Sequence, residues 1–148
     1  MITKEMRRII EDNTIGLVAT VDPDGSPAVS PKGTMLVIDA STIAFSDIRS
    51  PGTVRNIKHN PAVELNFIDI FRRKACRLKG RASYVPKGSP RFTELLPLFA
   101  RWEKFVDSMR GFVVVEIAKA ELVLSPAYDA GASEADLEAQ WLGYYTER

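Results

Sequence analysis

One cysteine and one histidine among 148 residues leave little room for thiol or metal chemistry. Cys76 alone can form neither an intrachain disulfide nor a cysteine-based zinc site. His59 has no second histidine and no cysteine cluster to join, so a histidine-centred metal site and a Ser-His-Asp triad are not expected. Excess charge is missing too. Twenty Lys and Arg against nineteen Asp and Glu leave +1, too weak a field to gather nucleic acid or an anionic membrane. Any anion site must therefore be local. No apolar run approaches the ~20 residues needed to cross a bilayer. Met1 to Asp12 mixes charged and apolar residues at helical spacing, without the cationic-then-apolar pattern of a signal peptide. The expectation is a cytoplasmic protein with no membrane, nucleic-acid or metal partner.

What is present describes an ordinary globular domain, 45% hydrophobic and 26% charged. Its length fits one domain spanning 1–148, with a helical tail over 133–148. Thr3 is placed to cap a first helix with an apolar stripe at Met6, Ile9 and Ile10. Ile15 to Val21 is apolar at nearly every position and reads as a strand buried on both faces. Asp22-Pro-Asp-Gly-Ser26 is a tight turn. Ala28 to Ile38 returns as one irregular strand broken by Pro31 and Gly33. Thr42–Ser46, Ala62–Ile68, Ala75–Val85 and Gly111–Lys119 complete the strands, and Phe92, Leu95, Leu96, Phe99 and Trp102 predict a helix over 91–109, kinked or split at Pro97. A capped helix begins near Ser133. Short turns between strands, without βαβ alternation, predict a mainly β (α+β) protein: an antiparallel barrel with peripheral helices.

Two segments carry candidate chemistry. In Phe45-Ser-Asp-Ile-Arg-Ser-Pro-Gly-Thr-Val-Arg-Asn56 a strand ends, polar residues follow, and a helix opens at Ser50-Pro51. Unsatisfied N–H groups at such a start form an anion site. Gly52 lets a ligand approach, Ser50 and Thr53 offer hydroxyls, and Arg49 and Arg55 offer planar forks for phosphate. An ordinary capped helix with two solvated arginines fits the same residues. Arginine near a helix N-terminus is unfavourable unless something negative compensates it, which tilts towards a bound anion. In Ser26-Pro-Ala-Val-Ser-Pro-Lys-Gly33, Ser30 and Lys32 share one strand face and can donate to a polar-edged ring; taken alone, the segment fits an edge strand guarded by proline and lysine better. Arg77, Lys79 and Arg81 alternate as a solvated strand does.

The order of these features resembles the pyridoxamine 5'-phosphate oxidase-like family of FMN-binding split barrels. The likeness rests on Leu17-Val-Ala-Thr-Val21, Asp24-Gly-Ser-Pro27, Val29-Ser-Pro-Lys-Gly33, Phe45-Ser-Asp47, Ser50-Pro-Gly-Thr-Val-Arg-Asn-Ile57 and Asn60-Pro-Ala-Val-Glu-Leu65, and runs from about Ile15 to Val85. It implies a six-stranded split barrel forming a homodimer, with FMN in a cleft shared by the subunits and a nicotinamide cofactor as candidate electron donor. Ser30 and Lys32 would lie along the flavin ring. Phe45, Ser46, Asp47 and Arg49 would line the ring edge and ribityl chain, and Ser50, Thr53 and Arg55 would hold the phosphate. Trp141 would either approach the cofactor from the partner subunit or pack on the barrel or the dimer interface. The chain departs from the oxidase proper, which resembles Arg-x-Val-Leu-Leu-Lys in the second strand, Ser-Arg-Lys at the helix start and an arginine-bearing C-terminal segment. A related flavin reductase or oxidase acting on another substrate is therefore expected. The alternatives are a flavin-binding or sensing module without turnover, and the same fold holding haem or a deazaflavin.

Overall fold

The computed structural model describes residues 1–147; Arg148, the last residue of the expected tail, lies outside the described residues. Helix α1 (Lys4–Asp12) is capped by Thr3, whose hydroxyl accepts from the Met6 amide, and buries the stripe Met6, Ile9 and Ile10. The strands are β1 (Gly16–Val21), β2 (Pro27–Lys32), β3 (Met35–Asp39), β4 (Thr42–Asp47), β5 (Ala62–Asp69), β6 (Lys74–Pro86) and β7 (Gly111–Leu124). Helix α2 (Pro51–His59) joins β4 to β5 and ends before Asn60-Pro61. All seven strands form one antiparallel sheet in the order β2-β1-β5-β6-β7-β4-β3.

This corrects the expected six-stranded barrel: the described residues form seven strands, and these do not close a barrel. The stretch read as one irregular strand, 28–38, divides at Gly33-Thr34 into β2 and β3, which lie at opposite edges of the sheet. Two linking residues reach across only if the sheet curls until its edges approach, because each residue spans at most about 3.3–3.6 Å. No ladder joins those edges among the described residues.

The curl encloses the main core. Ile9 and Ile10 of α1 pack there with Val18, Phe45, Leu65 and Phe67. A second core lies on the other side of β4 and β7, where Phe112 stacks between Phe92 and Phe99 with ring centroids 4.5 and 4.2 Å away. The helix expected over 91–109 is instead α3 (Pro90–Leu95) followed by a 3-10 segment, Leu96–Ser108, with non-helical backbone at Phe99 and Trp102. Pro97 has no N–H to give and would strike the carbonyl four residues back, so the α-helix stops before it. Short α4 (Pro126–Asp129) and α5 (Glu134–Thr146) follow, the latter capped by Ser133. β1 is buried on one face only: Gly16, Val18 and Thr20 point inward, while Leu17 stays exposed. No helix among the described residues is long and apolar enough to cross a membrane.

Candidate functional site

Three residues, Ile48-Arg49-Ser50, turn the chain from β4 into α2, and buried side chains hold that corner. Asp47 Oδ1 accepts from the Ser50 amide at 3.2 Å, and Asp47 Oδ2 accepts from the Tyr84 hydroxyl at 2.9 Å. Ser46 donates through Oγ to Thr34 Oγ1 at 2.6 Å, tying the corner to the link between the edge strands. From the end of β2, Lys32 Nζ donates to Ser50 Oγ at 2.7 Å.

That last bond leaves the helix start open. α1, α3, α4 and α5 each have a hydroxyl at the N-cap accepting a backbone amide, whereas Ser50 makes no capping bond. Pro51 has no N–H, so Gly52 and Thr53 carry the amides that lack an intrahelical acceptor. The helix is anchored one turn on. Asn56 is buried and donates to Thr20 Oγ1 at 3.0 Å and Asp22 Oδ1 at 2.8 Å, pinning α2 to the β1–β2 hairpin. The Asp22 carboxylate fixes which way the amide faces, since only Nδ2 can donate to it. Asn56 Oδ1 is then a buried acceptor without a partner among the described residues.

Two clefts flank the helix start. The first, about 250 Å³, lies between α2 and the β1–β2 hairpin and is lined by Asp22, Ser30, Lys32, Arg49, Ser50 and Thr53. The second, about 350 Å³, lies across Pro51 and is lined by Asp47, Arg55, Lys58, Tyr84 and Arg110. Burial pulls the Lys32 ammonium below the usual lysine range, and the Asp47 charge partly opposes this. Burial, then the bond to Asp47, pushes the Tyr84 hydroxyl up to about 12. Gly111 makes room for that hydroxyl: a Cβ there would fall 2.6 Å from both Tyr84 Oη and the Val85 carbonyl.

A family model described as pyridoxamine 5'-phosphate oxidase matches residues 2–124. The chain belongs to the pyridoxamine 5'-phosphate oxidase-like family. Among solved structures it is similar to HupZ of Group A Streptococcus, at 26% identity over 84% of this chain and 96% of that one, with a TM-score of 0.71. A putative pyridoxamine 5'-phosphate oxidase from Lactobacillus delbrueckii is 26% identical over 80% of this chain and 92% of its own, with a TM-score of 0.69. An F420 reductase matches at 26% identity over 74% and 90%, with a TM-score of 0.58. None of the curated proteins matches the sequence.

The residues singled out from this family's pattern separate into three groups. Ser30, Lys32, Arg49, Ser50 and Thr53 meet around the first cleft. Asp47 and Arg55 line the second, although Arg55 curls back towards the helix start, its Nη2 3.9 Å from where a Gly52 Cβ would sit. The rest line neither cleft. Phe45 is fully buried in the main core and offers no side-chain surface, and Ser46 is buried and spent on Thr34. Trp141 sits on α5 under the Arg73 guanidinium, 3.4 Å from its ring centroid. Sequence reasoning missed Thr20, Asp22, Asn56, Lys58, Tyr84 and Arg110. Only their spatial meeting marks them: Asn56 and Tyr84 bond to residues 34 to 37 positions away.

Proposed function

We propose that the chain binds FMN with its phosphate at the start of α2, acts as a flavin-dependent oxidoreductase, and works as a homodimer. The observation that carries this reading is the one α-helix start among the described residues that no side chain caps, lined by Thr53 and by Lys32 and Arg49 from outside the helix. Two free amides, a hydroxyl, an ammonium and a guanidinium form a donor set suited to a phosphate dianion. The residues present therefore fit the group.

Bound FMN would supply the hydride chemistry through its ring. The chain's own part is binding and exclusion of water. Lys32 reaches the helix start from β2 and holds negative charge there, and Ser30, two residues earlier on the same face, presents a hydroxyl along the cleft. Asn56 holds the helix against the hairpin so that the two walls keep their spacing.

The first cleft is smaller than the roughly 300–1,000 Å³ that encloses a drug-sized ligand. It has room for the phosphate end of FMN, leaving the ring to be covered from outside. An apolar surface lies nearby: Val29 is 64% exposed, Ile15 61% and Leu17 37%, with Val29 paired to Ala19 and Leu17 to Pro31. A second copy of the chain placed there would cover both that surface and the ring.

The similarity to an F420 reductase favours a deazaflavin as the second reading. Equilibrium titration with FMN, riboflavin and F420 separates them. FMN is expected to bind at least about 100-fold tighter than riboflavin, since two or more charge-assisted bonds go to the phosphate. Equal affinity for riboflavin would remove the phosphate assignment, and preference for F420 would establish the second reading. Reduction of the bound flavin by a nicotinamide cofactor tests turnover; an inert bound flavin would mark a binding module. Sedimentation tests the dimer, because a monomer that still binds FMN tightly contradicts it.

A further inference from the structure

A cleft between α1 and α5 and the one beside Tyr84 differ in a way that volume does not reveal. The first, about 670 Å³, carries Lys4, Arg7, Arg8 and Lys74 against Glu5, Glu11, Asp12 and Glu134. Most of those charges are spent on one another: Arg7 pairs with Glu11, Arg8 with Glu134, and Lys74 with both Glu5 and Glu134. Little is left over to recruit a ligand.

The cleft across Pro51 holds three cations, Arg55, Lys58 and Arg110, against one carboxylate, Asp47. None of the three forms an ion pair among the described residues. Asp47 is buried and occupied by the Tyr84 hydroxyl and the Ser50 amide, so it cannot also neutralise three cations. Lys58 Nζ lies 4.6 Å from the centroid of the Tyr84 ring, which holds the ammonium over the cleft by its quadrupole. Two parts of the fold supply the cations: Arg55 and Lys58 lie one turn apart on α2, and Arg110 stands at the entry to β7, where its amide donates to the Asp47 carbonyl at 2.7 Å. Unpaired cations gathered on a concave surface raise the local concentration of anions.

We propose that this cleft is a second anion site, separate from the one at the start of α2, and that it takes the phosphate or pyrophosphate group of a small-molecule reactant. Arginine forks at Arg55 and Arg110 suit the oxygens of such a group, and Lys58 adds a point charge. The Tyr84–Asp47 pair forms its floor: burial, and then the bond it donates to the carboxylate, hold the phenol neutral. The site stands on its own residues. Only the description of its ligand as the flavin's reaction partner rests on the FMN reading, and the two clefts adjoin across Pro51, as that description requires.

Titrating the full chain with inorganic pyrophosphate at fixed ionic strength, followed by calorimetry, tests the proposal. Saturable binding is expected, weakened about tenfold or more by Lys58→Ala and by Arg110→Ala, each of which removes one charge-assisted contact. Arg7→Ala, a charge removed from the cleft between α1 and α5, should leave it unchanged. FMN occupancy should be the same in all three variants. Absence of pyrophosphate binding, binding indifferent to Lys58 and Arg110, or equal weakening by Arg7→Ala would overturn the proposal. So would parallel loss of FMN from the Lys58 and Arg110 variants, because the cleft would then belong to the flavin phosphate. Failure of the wild-type chain to bind FMN would remove the flavin reading alone and leave the pyrophosphate result to stand.

Discussion

Replacing Lys32 with methionine should separate ligand binding from folding. The substitution keeps an unbranched apolar stem and removes the ammonium. Without ligand, that ammonium is half-buried and bonded to one neutral hydroxyl, Ser50 Oγ, at 2.7 Å. The folded chain would lose a charge-assisted bond of about 1.5–3 kcal/mol and shed a desolvation cost of the same order. The freed Ser50 hydroxyl could then cap α2, worth about 1 kcal/mol. Stability should therefore change by no more than about 1 kcal/mol in either direction. Binding has no such compensation. The phosphate loses a cation, and a capping Ser50 competes for the same amides, so the FMN Kd should rise roughly 10- to 150-fold, the equivalent of that one bond. Flavin fluorescence quenching at constant ionic strength gives the Kd, and urea unfolding gives the stability. A Kd shift under about threefold, or a stability loss above about 2 kcal/mol with Kd unchanged, would refute the reasoning. The pH dependence follows from the same group. Lys32 has its folded value lowered, so the charged form is disfavoured in the fold, and its contribution to stability improves as pH rises through that value. FMN affinity should fall over that alkaline window in wild type and stay flat in Lys32→Met.

Three other outcomes are expected. Tyr84 is raised from 10 to about 12, so between those values the folded state holds a proton that the unfolded chain has released. Stability should fall with rising pH across that range, and Tyr84→Phe should flatten the fall; urea midpoints at pH 9 and 11 would show it. Asn56→Ala removes bonds to Thr20 and Asp22 and also the orphaned Oδ1, for a net loss of about 1–3 kcal/mol, with weaker FMN binding as α2 shifts. A loss under about 0.5 kcal/mol would show that the helix is anchored elsewhere. Cys76 is fully buried and its thiol is pushed up to about 11, so iodoacetamide at pH 8 should label it only after denaturant is added.

Much of this was legible in the chain because the signals are local. The stripe Met6, Ile9 and Ile10, the Asp22–Ser26 turn, and the Ser50-Pro51 opening of α2 each depend on neighbours within a turn or two, and each stands where the spacing put it. The jump at Gly33-Thr34 was not legible. Strand propensity reports that residues are extended, not which strand they pair with, and β2 and β3 read as one because nothing local says they belong to opposite edges. The 3-10 segment failed for a related reason. Phe92, Leu95 and Phe99 recur at helical spacing, but the stack against Phe112 is satisfied by a broken backbone as well as by a straight helix. At the site, Lys32, Arg49 and Thr53 could be found from one helix start and one strand face. Asn56, Tyr84 and Arg110 look like ordinary polar residues until the fold brings each to a partner distant in sequence. Phe45 illustrates the opposite error: it flanks the Ser-Asp pair in sequence, yet strand alternation turns its ring into the core.

A crystal structure of the chain grown with FMN tests the central claim most directly. The phosphate should lie within hydrogen-bonding distance of the Thr53 amide and Lys32 Nζ, in the cleft beside the β1–β2 hairpin. A phosphate held elsewhere, or Ser50 capping α2 with Lys32 turned to solvent, would contradict it.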